Sequence, residues 1–346
     1  MLDLPPGEMA AACSRLVSRI DAGQLDCVSD DLALLLAVHD VSDVRSPFAQ
    51  DWRFDLVEQS DGPPRVDLPP ADQDELLGQR TGWRPCWQPI VSIGEDAPRW
   101  REALGAGHPV LLVGDGFYLP WLPYRGHEHM DHGFVLAGLG AASGAGGELA
   151  GGELVADIVD PYDNVTEWGA ARPQATRLPV HDLQLALHSG RWGILIPARR
   201  MVPIRPAEQV AANAAAILAS ADAGAYQHFA ASHQQAGLPE MRNLSLQTWL
   251  LARNRALHAR WLAGLPTGAV DPAVADRFRS QVSGGWQRAM EMSYIALRRV
   301  RSGRAAPSAA ITAVRSASDA EVRLASSLLG RLPEVRAAAD LPVRGA

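Results

Sequence analysis

A chain of 346 residues is long enough for two domains, and 47% apolar residues is the makeup of an ordinary soluble globular protein. All 32 basic residues are arginine, so chemistry that needs a lysine (a Schiff base, a pyridoxal-phosphate anchor, a P-loop lysine) is excluded. The net charge of −7 conceals two unlike halves: residues 1–205 hold 16 arginines against 29 acidic residues and residues 206–346 hold 16 against 10, or −13 and +6, which implies different work for each. Cysteines at 13, 27 and 86 form neither a disulfide framework nor a zinc pattern. No apolar run approaches the roughly 18 residues of a membrane span, and the acidic start of the chain is unlike a signal peptide, so a cytoplasmic protein is expected.

The spacing of Met9, Cys13, Leu16, Val17 and Ile20 predicts a helix over residues 8–20 and makes Cys13 a packed small hydrophobe. After Gly23 a second helix is expected over 27–39, with Leu32, Leu34, Leu35, Leu36 and Val38 on its buried side. Cys27 then sits in the first turn, where the positive end of the helix dipole favours thiolate over thiol. The stretch SPFAQDWRFDL is locally aromatic, and Trp52 is a candidate for lining a cleft as much as for the core. A helix-like DELLGQR follows, then a strand near residues 86–90 holding Cys86, and a helix near 97–104. From His108 the pattern becomes β, with strands expected at 110–113, 132–139, 153–159, 177–180 and 192–197.

Beyond Ile204 the sequence is Ala-rich and helical, punctuated by Pro206, Pro239, Pro266, Pro272 and Pro307. The division expected is a catalytic domain over 1–205 and an all-α domain over 206–346, with four to six helices of which 244–262, 273–300 and 318–329 are the clearest. From Arg242 to Arg304 there are 11 arginines against Asp271, Asp276 and Glu291, interleaved with Trp249, Trp261, Trp286 and Tyr294. That composition fits either a solvated face over core tryptophans or a docking surface for an acidic partner.

Three patterns compete for residues 127–160. His127, His129, Asp131 and His132 spell H-x-H-x-D-H, which resembles the metal string of metallo-β-lactamase-fold hydrolases. That fold needs a helix immediately afterwards, where GFVLAGLG reads as a strand. The string from Gly138 through Gly140 to Ser143 echoes a dinucleotide fingerprint but is followed by a glycine-rich turn, GGELA-GGELV, instead of a helix. The third pattern is Cys27, His132 and Asp160. A cysteine on a helix, followed in chain order by a histidine and a carboxylate on neighbouring strands, is the papain order of nucleophile, base and orienter.

LDCVSDDLALLLAVH, GHPVLLVGDGFYLPWLP, HMDHGFVLAGLG and ADIVDPYD, in that order, resemble the N-terminal domain of butirosin-biosynthesis acyltransferases. Those are papain-fold relatives of the bacteriocin-processing cysteine peptidases, and the resemblance covers roughly residues 20–200. It implies an α+β papain-like domain with an antiparallel sheet, followed by helices, and a cysteine-dependent acyltransferase of natural-product and antibiotic biosynthesis. An acyl or aminoacyl group would leave the phosphopantetheine arm of an acyl or peptidyl carrier protein, rest on Cys27, and pass to a small-molecule amine. His132 would be the base and Asp160 the orienter. The protein would need no cofactor or metal of its own, and neither nucleic acid nor membrane as partner. Related peptidases carry an oxyanion-binding glutamine six residues before the cysteine; here that position is Asp21, with Gln24 nearby. Gln24, Trp52, Tyr118 and His129 are the candidate substrate contacts, with His127 and His129 expected to rim the cleft. The rival enzymatic readings are hydrolysis by the same triad, as a thioesterase or peptidase, and the metal-dependent hydrolase.

Overall fold

The structure, a computed structural model, describes residues 8–20, 22–60, 62–141, 154–234, 237–305 and 308–330. Asp21, Ser143, Pro307 and most of the glycine-rich doublet, all singled out in the sequence, lie outside the described residues. The fold is mixed α+β with antiparallel sheets, and the chain divides into two compact units. One comprises Met1–Pro47 and Asp74–Met201, the other Phe48–Gln73 and Val202–Ala346. The expected boundary after residue 205 thus lies close to the observed one. The segment 48–73, expected in the first domain, instead belongs with the helices, because its Trp52 and Phe54, 1% and 0% exposed, are part of the helical core.

The first unit is built on a six-stranded antiparallel sheet. Its strands are β1 (Trp83–Pro89), β2 (Val110–Asp115), β3 (Asp131–Ala141), β4 (Leu154–Asp160), β5 (Gln174–Pro179) and β6 (Arg191–Pro197), in the spatial order β1-β6-β2-β3-β4-β5. Three helices matter to the site or its support: α1 (Glu8–Ile20), α2 (Cys27–Val38) and α3 (Ile93–Gly105). The VLLV run of β2 is buried throughout, so it reads as a continuous apolar strand and not as an alternating one. Residues Ser29 to Val38 of α2 are all buried, which accounts for its unbroken leucine run and makes it the central helix of this unit.

Two features lock α2 to the sheet. Its N-cap Asp26 accepts hydrogen bonds from the backbone N–H groups of Val28 (3.1 Å) and Ser29 (2.9 Å), which fixes where the helix starts and therefore where Cys27 stands. Gly133 on β3 lets the helix come close, since a Cβ there would lie 2.3 Å from Asp31 Oδ2 and 3.1 Å from the Cys27 carbonyl oxygen.

The second unit is helical: α4 (Pro206–Asp222), α5 (Ala225–Ser232), α6 (Leu238–Gly264), α7 (Pro272–Arg277), α8 (Gly284–Arg301) and α9 (Ala309–Leu329). Prolines stand in the first turn of α4, α6 and α7, where the missing N–H costs nothing. The helix expected over 273–300 is interrupted by a π turn, Phe278–Ser283. The interruption falls just before Gly284 and Gly285, a pair of weak helix formers, and it leaves both Phe278 and Val282 fully buried. Aromatic packing fills the core, with Phe54 stacked on Tyr226 at 3.9 Å and Trp52 edge-on to Phe278 at 4.9 Å. Among the described residues no helix is long and apolar enough to cross a membrane.

Candidate active site

The β3–β4 hairpin brings His132 and Asp160 together by register. Val135 pairs with Val159, so one step further along Asp160 stands opposite Phe134, and His132 lies two residues from Phe134 on the same face. This diagonal placement is within side-chain reach across a sheet. His132 Nε2 is 2.9 Å from Asp160 Oδ2, and both residues are buried. Two further donors hold the carboxylate: Trp121 Nε1–H donates to Oδ2 at 2.7 Å, and the Tyr162 backbone N–H donates to Oδ1 at 3.0 Å. With two N–H donors already held, one on each oxygen, Asp160 acts as acceptor toward the imidazole as well, so His132 carries its proton on Nε2 and presents Nδ1 as an acceptor.

That second nitrogen is occupied. The Tyr124 hydroxyl lies 2.7 Å from His132 Nδ1, and Tyr124 is only 2% exposed. Cys27, partly buried, reaches the same strand from α2, and its S–H points to the Asp131 carbonyl oxygen at 3.8 Å. The thiol therefore lies against the backbone just ahead of His132. Of the residues the sequence singled out, His132 and Asp160 are bonded to each other and the Cys27 thiol reaches the backbone of Asp131 next to His132; Tyr124 and Trp121, which it did not single out, bond to His132 and Asp160.

The electrostatics overturn one expectation. The helix start was expected to favour the Cys27 thiolate, yet the thiol is pushed well above its ordinary range. Burial is the first cause, the adjacent Asp26 charge the next, and Asp30 and Asp31 add to it, with only the Gly133 N–H pulling the other way. The capping carboxylate that starts the helix thus opposes the helix dipole at Cys27. Tyr124 is likewise pushed far up, by burial first and then by the charge Cys27 would carry.

Asp31, one turn along α2 from Cys27, is fully buried, and neither of its carboxyl oxygens has a hydrogen-bond partner. Burial, then the charges of Asp160 and Asp26, raises it well above the carboxylate range. The native state therefore retains a proton that the unfolded chain has released, and stability falls as pH rises from the ordinary carboxyl range toward the folded pKa, by about 1.4 kcal/mol per pH unit at full effect. Asp31→Asn keeps the shape of the neutral acid and cannot ionise. Its unfolding free energy is expected to gain on the parent protein by up to about that amount per unit between pH ~5 and ~7, measured by urea unfolding. A difference that stays constant with pH would show that Asp31 is ionised in the folded protein.

The remaining sequence candidates fall elsewhere. Trp52 lines no cleft: it is 1% exposed in the helical unit, and its indole N–H donates to Glu321 at 2.8 Å. Cys13 is buried, its thiol pushed up to about 12 by desolvation, in keeping with a packing role. Cys86 is partly buried on the edge strand β1. Gln24 stands, half-buried, in the short turn ahead of Cys27. Tyr118 lies edge-on to the His129 ring at 5.9 Å. The four residues of the metal-like string diverge. His127 stacks on Trp168, His129 Nδ1–H donates to Asp115 Oδ2 at 2.6 Å, Asp131 is exposed, and His132 turns inward to Asp160. Among the described residues no three His, Cys, Asp or Glu side chains are grouped to hold a metal ion.

Tyr124 and Trp121 escaped sequence reading because they belong to YLPWLPYRG, an irregular stretch between β2 and β3 with no periodicity to place a side chain. The one available signal was its density of aromatics carrying a polar tip just ahead of His132, since a buried Tyr or Trp needs a polar partner. Compared with protein-family models and with curated proteins, the chain matches none.

Proposed function

We propose that the first unit is a papain-like cysteine acyltransferase that receives an acyl or aminoacyl group from a carrier-protein thioester on Cys27 and passes it to a small-molecule amine. The observation that carries this is the Cys27 sulfur set against the backbone flanking His132, whose Nε2 is bonded to Asp160. The Cys27 sulfur attacks the thioester carbon as its proton moves to His132. The resulting imidazolium then returns a proton to the departing pantetheine thiol, leaving the acyl group on Cys27. An amine next attacks the Cys27 thioester and gives up a proton to His132, and the Cys27 sulfur leaves and takes that proton from the imidazolium, which restores the thiol and the neutral imidazole. Exchange of one thioester for another is nearly isoenergetic, which suits a relay. The backbone N–H of Cys27, ahead of the two that Asp26 caps, is the group a helix start offers to the developing oxyanion. The base and orienter are 1% and 2% exposed, which limits the access of bulk water to the imidazole.

The positive helical unit supplies a surface for the acidic carrier protein. Arg288, Arg298, Arg299 and Arg304 are exposed there, whereas Arg255 is turned into the core.

A panel of acyl and aminoacyl thioesters, each presented on N-acetylcysteamine and on a loaded carrier protein, tests both statements. Intact-mass measurement is expected to show the acyl group on Cys27, its absence in Cys27→Ala, and amide in preference to free acid once amines are added. Carrier-borne donors are expected to react faster than the soluble mimic, an advantage lost at high salt and in Arg298→Gln/Arg299→Gln. If no thioester of the panel modifies Cys27, the enzymatic reading fails.

A further inference from the structure

Transfer to an amine leaves one proton more than His132 can carry. An alkyl amine near neutral pH is an ammonium ion, with a pKa of about 10, so it must lose one proton to become a nucleophile and a second as the amide forms. The second goes to His132 and returns to the Cys27 sulfur. The first must reach water, and His132 is badly placed to pass it there: it is 1% exposed, with Asp160 at Nε2 and Tyr124 at Nδ1.

A second imidazole–carboxylate pair has the opposite character. His129 Nδ1–H donates to Asp115 Oδ2 at 2.6 Å, and Asp115 Oδ1 accepts the Phe117 backbone N–H at 3.0 Å. The imidazole is stacked on Phe117 at 4.1 Å with Tyr118 edge-on to it, so its plane is set. Nε2 has no hydrogen-bond partner among the described residues, and the side chain is 63% exposed. With its Nδ1 proton held by a carboxylate, the basic nitrogen of this exposed ring is Nε2. Asp115 is kept below the usual carboxylate range: burial pushes it up, and the bonds from His129 and Phe117 outweigh that. Asp115 stands opposite Asp131 in the β2–β3 register, about 5 Å away between Cα atoms, and the Asp131 carbonyl oxygen is the one the Cys27 S–H points to at 3.8 Å. By period two Asp131 shares a sheet face with Gly133, against which α2 packs closely, so Asp115 and His129 belong to the side from which Cys27 comes.

We infer that His129, oriented by Asp115, is the base that takes the first proton from the acceptor, which makes the acceptor class a primary alkyl amine that arrives as its ammonium ion. An N–H bond of the ammonium breaks, an N–H bond forms on His129 Nε2, and the imidazolium, stabilised by the Asp115 carboxylate, gives that proton to water. The neutral amine then attacks the Cys27 thioester, and its second proton follows the path through His132. One proton is released to solvent for each amide formed, and both imidazoles end as they began. The two carboxylates side by side, Asp115 and Asp131, favour the approach of a cation.

The inference rests on the acyl-transfer reading, and a comparison of two acceptors separates the two. Protein acylated on Cys27 by an N-acetylcysteamine thioester is mixed near neutral pH with an alkyl amine, or with methoxyamine, which is already neutral there, and amide formation is followed by mass. His129→Gln is expected to lower the alkyl-amine rate relative to the methoxyamine rate about 10²-fold, the scale of a lost general base. Asp115→Asn should lower the same ratio, since it removes the carboxylate that holds the Nδ1 proton. A ratio at the wild-type value in either variant would overturn the inference, leaving His129 a residue of the rim and the acyltransferase intact. Wild-type protein that is never acylated at Cys27 would sink both.

Discussion

Asp160→Asn is expected to lower the rate of Cys27 acylation by about 10⁴-fold, the scale of loss when the orienting acid of a catalytic triad becomes an amide. The reason lies in how many donors the carboxylate serves. Oδ2 accepts from Trp121 and His132, and Oδ1 accepts from the Tyr162 backbone. An amide has one acceptor oxygen, so either orientation turns its NH₂ against an N–H. If the NH₂ takes the Oδ2 side, it donates to His132 Nε2 and drives the ring proton to Nδ1. Tyr124 must then accept where it had donated, and His132 loses its capacity to receive a proton from that side. If the NH₂ takes the Oδ1 side, the Tyr162 N–H is orphaned in the interior, and the loss of charge weakens the hold on the imidazolium. Either way a buried donor goes unsatisfied, so a stability loss of about 1–3 kcal/mol should accompany the kinetic one. Single-turnover acylation with an N-acetylcysteamine thioester, alongside urea unfolding, reads both quantities. Retention of activity within a few-fold of wild type would remove Asp160 from the machinery.

The parts of this site that were legible in the sequence are those that regular structure places. Helix α1 has the bounds its apolar spacing gave, and α2 ends one residue before the expected His39. Once β3 and β4 are strands joined antiparallel, His132 and Asp160 share a face as a matter of period two. What escaped has a physical cause in each case. Pro98 inside α3 hid its first turn, which is opened by the Ser92 cap. Strand β1 begins at Trp83, earlier than expected, because as an edge strand it shows no alternation of buried and exposed residues. Trp52 and Phe54 carry no mark saying which of two cores will take them; long-range packing decides that. The thiol of Cys27 is held protonated, against the expectation, first by burial, which the helix start does not reveal, and then by the same aspartate that announces that start, whose negative charge stands beside the first residue of the helix.

The helical unit offers the other large effect. Arg255 and Glu321 are both fully buried, with Arg255 Nε–H donating to Glu321 Oε1 at 2.5 Å. Trp52 Nε1–H donates to the same oxygen at 2.8 Å, and the Tyr226 hydroxyl donates to Oε2 at 2.8 Å. A second arm of Arg255, Nη2, donates to the Arg53 carbonyl oxygen at 2.7 Å, which ties the segment 48–73 to α6. Replacing an ion pair with apolar residues can be neutral, but removing one partner leaves a charge stranded where water does not reach it. Glu321→Ala is therefore expected to destabilise this unit by about 3–5 kcal/mol, strand the arginine, and orphan the Trp52 and Tyr226 donors together. Glu321→Gln keeps an acceptor for Trp52, and the Tyr226 hydroxyl can rotate to accept from the amide, so its cost should be smaller and come mainly from the unpaired guanidinium. Arg255→Met/Glu321→Leu, which removes both charges, is expected to recover much of what Glu321→Ala loses. Urea unfolding followed by helical circular dichroism ranks the three. If the double variant were as unstable as Glu321→Ala, the loss would come from packing around Trp52 and Tyr226, and the stranded charge would not be its cause.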